Sequence, residues 1–123
     1  MSGNKFLLDT NAVLYILNGD EVLAELLYEK RLYVSIITEM ELLSYKNITV
    51  KEKQQIKNFL SAFVIINIDN VIKDQAIETK KNSYLKLPDS IIAATAIILD
   101  IPLVSSDKQF KTVTNLNFLL YEK

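Results

Sequence analysis

The sequence predicts an α/β fold, a single domain over residues 1–123 in three α/β/α layers around a mainly parallel sheet of four to five strands. Three observations predict it. Short apolar runs alternate with longer stretches of helical periodicity, the signature of strand–helix crossovers. Runs such as Val64-Ile65-Ile66 are apolar at every position, which suits strands covered on both faces. The length of 123 residues, half of them hydrophobic, supports one core but not two.

The first strand is Lys5 to Leu8, ending at Asp9, and Thr10 to Leu17 reads as a helix closed by Asn18-Gly19. Asp20 caps a second helix with Val22, Leu23, Leu26 and Leu27 at helical spacing. Leu32 to Ile36 is β-branched and apolar, a second strand. Thr38-Glu39-Met40-Glu41 has the form of a capping box, which places the next helix start at Thr38. Thr49 opens an amphipathic helix through Ile56, Phe59 and Leu60, and a third strand runs from Phe63 to Ile68. Asn70 to Leu85 forms a polar-faced helix broken at Leu87-Pro88. Pro88 or Asp89 starts an apolar helix through Leu99. Pro102 to Ser105 and Leu116 to Leu120 complete the strands.

Composition narrows the chemistry. Histidine and cysteine are absent, which removes imidazole acid–base catalysis, thiolate nucleophiles, disulfides and the usual zinc ligands. Two glycines, Gly3 and Gly19, cannot build a glycine-rich phosphate loop. The net charge of −1 excludes a broad polyanion-binding coat. Asp9 interrupts the early apolar run, and Ile91 to Leu99 is about half the ~20 residues of a membrane span. No membrane association and a cytoplasmic location are expected.

Ligands in open α/β sheets sit beyond the carboxyl ends of the strands. Asp9 ends the first strand, and Asp107 lies two residues past the Leu103-Val104-Ser105 run. Asp89 opens a helix, and Glu41 lies one turn into the helix after the second strand. Each has a local reading as a cap, a first-turn acid, a turn residue or a solvated glutamate. Together, in one cleft, they would repel unless a cation is present, and oxygen-only donors select Mg²⁺ or Mn²⁺. Thr10, Asn11 and Ser105 stand beside them as polar support.

Four segments in this order resemble the PIN-domain nucleases, particularly the VapC-like toxins of toxin–antitoxin pairs. They are Phe6-Leu7-Leu8-Asp9-Thr10-Asn11, Val34 to Leu42, Leu87 to Ala96, and Leu103 to Phe110. The resemblance covers essentially the whole chain. It implies a Mg²⁺- or Mn²⁺-dependent endoribonuclease with Asp9, Glu41, Asp89 and Asp107 as catalytic and metal-binding acids, an RNA substrate, a small antitoxin partner and a homodimer. Gln109 stands where many relatives carry another acid, and Ser90 replaces a common alanine. The expected reaction is hydrolysis by metal-activated water, leaving a 5′-phosphate.

Two lysine groups, Lys46-Lys51-Lys53-Lys57 and Lys73-Lys80-Lys81-Lys86, read as solvated faces or as a phosphate track. Leu14, Tyr15, Leu23 and Leu27 read as core, with a groove for an antitoxin or a second copy as the functional reading. Two rival functions are a receiver-type signalling domain, phosphorylated on Asp69 with Lys108 as its partner, and a catalytically silent PIN-like binding module.

Overall fold

The computed structural model describes residues 3–122, so positions 1, 2 and 123 of the expected span lie outside the described residues. The strands are β1 (Lys5–Leu8), β2 (Arg31–Ser35), β3 (Val64–Ile66), β4 (Leu103–Ser105) and β5 (Phe118–Leu120). The helices are α1 (Thr10–Leu17), α2 (Glu21–Leu26), α3 (Ile36–Leu43), α4 (Val50–Leu60), α5 (Asn70–Lys81) and α6 (Leu87–Leu99), with a 3₁₀ turn at Lys108–Thr112. The strands form one parallel sheet in the order β3-β2-β1-β4-β5. From β1 the chain first builds outward through β2 and β3, then returns to β4 on the opposite side. That reversal puts the topological switch point between the carboxyl ends of β1 and β4.

Register explains the three layers. Leu7 pairs with Tyr33 and Leu103, Leu8 with Val104, and the side chains alternate between faces. Leu8, Val34 and Val104 pack with Ala12, Val13, Leu23, Leu27 and Leu60 from α1, the α2 end and α4. Leu7 and Leu103 pack on the other face with Ile92, Ala93 and Ala96 of α6 and with Phe110. Ala94 of α6 joins Ile72 and Ala76 of α5 in a third cluster. The small residues of α6 allow this largely apolar helix to contact both the sheet and α5.

The structure shifts several expected boundaries. Helix α3 begins at Ile36, capped by Ser35, whose Oγ accepts from the Ile37 N–H at 3.0 Å. Thr38 is therefore inside the helix and fully buried, and the expected Thr38 capping box does not form. A serine at the last position of the strand satisfies the orphan amide earlier than the threonine could. The reciprocal box occurs instead at Thr49, with Glu52. Strand β3 keeps only Val64–Ile66 of the expected run, and β5 only Phe118–Leu120. Helix α5 stops at Lys81 rather than Leu85, because Asn82 and Ser83 turn their side chains back onto the Glu78 and Thr79 carbonyls.

Strand order also overturns the receiver reading. A phosphoacceptor after β3 needs that strand beside β1, as in the 2-1-3-4-5 order of receiver-like sheets. Here β2 separates them, and Asp69 instead caps α5 by accepting from the Ile72 N–H at 2.8 Å.

Leu103 is fully buried in the sheet facing α6. Leu103→Ala is expected to destabilise the fold by about 2–5 kcal/mol through lost burial and a residual cavity. Urea denaturation measures this, and a loss below about 1 kcal/mol would contradict the packing described.

Candidate active site

Asp9 comes directly after β1 and serves two local tasks. Its Oδ1 accepts the Ala12 N–H at 2.9 Å, capping α1, and its Oδ2 accepts from the Ser105 hydroxyl at 2.5 Å across the β1–β4 junction. Only 3% of the residue is exposed. Burial pushes its carboxyl up from 3.8 to about 6, against the two hydrogen bonds; Asp89 and Asp107 push it further the same way. Ser105, itself fully buried, also accepts from the Asp107 N–H at 2.9 Å. One hydroxyl thereby couples the ends of β1 and β4. Asp107 starts the 3₁₀ turn, accepting from the Gln109 N–H at 2.9 Å.

Asp89 enters from the first turn of α6, beside Pro88. Partial burial raises its pKa, with Asp107 and then Glu41 adding to the rise and Lys86 opposing it. Glu41 projects from α3, and one of its oxygens accepts from the Thr10 hydroxyl at 2.5 Å. That Thr10 hydroxyl also lies 3.1 Å from Thr38 Oγ1. The four expected acids thus come to one region: Asp9 feels Asp89 and Asp107, and Asp89 feels Asp107 and Glu41. Asp9, Thr10, Asn11, Glu41 and Asp89 line a cleft of about 380 Å³, completed by Leu14, Ser44 and Tyr45.

All expected polar neighbours are present, in different roles. Ser105 holds Asp9, Thr10 holds Glu41, and Asn11 lines the rim. Thr38, Ser44 and Tyr45 were not expected at the site. Thr38 was legible only as a helix cap, and nothing in a single loop sequence marks Tyr45 as a cleft wall. The donor set is all oxygen and mutually repulsive, which suits a hard divalent cation. Among the described residues, however, no three acids are drawn together tightly enough to enclose an ion unaided. The fit therefore rests on donor type and shared location, not on a finished coordination shell.

Fold and site define an open parallel α/β protein carrying an acidic cleft at its switch point. The PIN domain family model matches residues 6–116, and the chain belongs to that family, which places it among nucleases. Similar solved structures include toxin–antitoxin complexes. A toxin–antitoxin complex from Klebsiella pneumoniae contains a chain 30% identical, with a TM-score of 0.81, covering 95% of this chain and 98% of that one. VapBC2 from Rickettsia felis, bound to a DNA fragment from its promoter, matches at 23% identity and a TM-score of 0.77, over 96% and 99%. VapBC-1 from nontypeable Haemophilus influenzae matches at 22% and 0.75, over 94% and 97%. The last two bear on the fold alone. No curated protein matches. Among the described residues no helix is long and apolar enough to cross a membrane.

The Asp9 shift carries a stability consequence. Its folded value lies above the unfolded one, so the native state retains the proton between pH 3.8 and about 6. Stability falls as pH rises through that window, and the full penalty applies above it. Asp9→Asn is expected to stabilise the metal-free protein at neutral pH by about 1–3 kcal/mol, a gain that fades below about pH 4. Urea denaturation of both proteins in chelator across this range checks it; an equal gain at every pH would contradict the burial argument.

Proposed function

We propose that the chain is the toxin of a toxin–antitoxin pair, a Mg²⁺- or Mn²⁺-dependent endoribonuclease that hydrolyses RNA phosphodiester bonds. The observation that carries this reading is the gathering of Asp9, Glu41, Asp89 and Asp107 at the β1–β4 switch point, with two of the four raised in pKa. Asp9, Asp89 and Asp107 would hold a divalent cation, with Glu41 as a further ligand or as the group that orients water. When bound, the cation supplies positive charge to the phosphoryl oxygens and acidifies water.

The remaining work falls to the chain's own side chains. Ser105 fixes one Asp9 oxygen, so that carboxylate keeps its orientation as charge accumulates near it. Thr10 fixes one Glu41 oxygen, which leaves the carboxylate oriented to take a proton from the attacking water. With no histidine in the chain, proton transfer rests on these carboxylates or on solvent. Asn11, at the cleft rim, offers an amide to a phosphate or ribose oxygen. Direct hydrolysis leaves a 5′-phosphate and never uses the ribose 2′-hydroxyl as nucleophile.

The Klebsiella pneumoniae relative supports an antitoxin partner for this chain. An arginine from such a partner entering the cleft would meet the carboxylates of Asp9, Glu41 and Asp89 and block it. A homodimeric, cytoplasmic toxin acting as one domain over 1–123 completes the proposal.

Incubation with total RNA tests it. Cleavage is expected with Mg²⁺ or Mn²⁺, is lost with chelator, and falls about a hundredfold or more in Asp9→Asn or Asp107→Asn. End-group analysis is expected to find 5′-phosphates. Undiminished cleavage by Asp9→Asn, or 2′,3′-cyclic phosphate products, would contradict the proposal.

A further inference from the structure

Beside the acidic cleft lies a second groove of about 350 Å³, and the two share Leu14 and Tyr45 as lining residues. This groove runs from the end of α1 to the first turns of α4 and is crossed by the loop between α3 and α4. Tyr45 lies one helical turn past Glu41, on that loop, and is 52% exposed. Among the described residues its hydroxyl has no hydrogen-bond partner and its ring no aromatic neighbour.

The loop is nonetheless held in shape. Asn47 sits at φ 65°, the left-handed region that asparagine tolerates. The Ile48 N–H donates to the Tyr45 carbonyl at 3.4 Å, and the Thr49–Glu52 capping box anchors the far end. That box also engages the one carboxylate lining the groove, Glu52. The other polar residues lining the groove are Asn18, Asn47 and Gln55, which carry amides, and Lys46, which carries an ammonium group. An exposed ring, amides that both donate and accept, and one cation form a nucleotide-binding chemistry.

We infer that this groove is the subsite for the nucleotide adjoining the scissile phosphate. Its base stacks on Tyr45, the amides face the base edge, and Lys46 meets the flanking phosphate. This rests on the nuclease reading and sharpens it. A base can stack on a side chain only when unpaired, so the substrate segment is single-stranded or looped RNA. Lys46 is then the member of its lysine group that contacts substrate, while Lys51, Lys53 and Lys57, all exposed and outside the groove lining, stay solvated.

The test uses fluorescein-labelled oligouridylate and oligoadenylate, each about eight nucleotides long, within the usual span of a single-strand site. They are titrated in Mg²⁺ against Asp9→Asn protein, alone and carrying Tyr45→Ala or Tyr45→Phe. Tyr45→Ala is expected to weaken binding about 5- to 150-fold, the loss of one stacked base, while Tyr45→Phe stays within about threefold. In protein with Asp9 intact, Tyr45→Ala is expected to raise KM more than it lowers kcat. Affinity unchanged to within about twofold in Tyr45→Ala, as a protein-docking groove would give, overturns the subsite, and so does absence of oligonucleotide binding. If intact protein binds through Tyr45 but leaves RNA uncut, the subsite stands and the nuclease reading falls.

Discussion

The burial of the Asp9 carboxylate where β1 meets β4 is the constraint on which the rest depends. A carboxylate withdrawn from water must be compensated by donors, by a proton or by a cation. Two donors are in place, from Ala12 and Ser105, yet the group still titrates near 6 because burial and two neighbouring acids outweigh them. A fold serving stability alone would gain by placing an amide or an apolar side chain there. Keeping an acid at that point, with three more nearby, spends stability on a site that attracts positive charge.

The same local device builds much of the site. At or just past the carboxyl ends of the strands, short polar residues cap the next helix or turn. Asp9 caps α1, Ser35 caps α3, Asp69 caps α5, and Asp107 caps the 3₁₀ turn. Caps aim their oxygens at the exposed N–H groups of a helix start, on the side of the sheet where α/β folds bind ligands. Sheet order then decides which caps become functional. Asp9 and Asp107 flank the switch point, whereas Asp69 follows the edge strand β3 and remains structural as the cap of α5. Glu41 joins from α3 and Asp89 from the first turn of α6; the Thr10 hydroxyl ties Glu41 to the start of α1, and the Ser105 hydroxyl ties Asp9 to the Asp107 backbone.

This device also governs how much was legible in the sequence. Alternating apolar runs and helical stretches were enough for the α/β class, and the four acids at their spacing were enough to nominate the site. The start of α3 was not, because Ser35 and Thr38 are both good caps and only the end of β2 chooses between them. The length of α5 escaped as well, since side chains folding back on carbonyls leave little trace in hydrophobic periodicity. Strand order is a long-range property, and without it Asp69 and Asp9 look equivalent. Tyr45 was invisible for a related reason: an exposed aromatic in a loop acquires meaning only when tertiary structure sets it against the cleft.

Crystals of the protein soaked in Mn²⁺ and measured for anomalous scattering address the central claim most directly. An anomalous peak is expected within bonding distance of Asp9, with Asp89 or Asp107 among its other ligands, and no peak there in Asp9→Asn crystals. Manganese absent from the β1–β4 junction of the intact protein, or bound only to acids elsewhere on its surface, would contradict it.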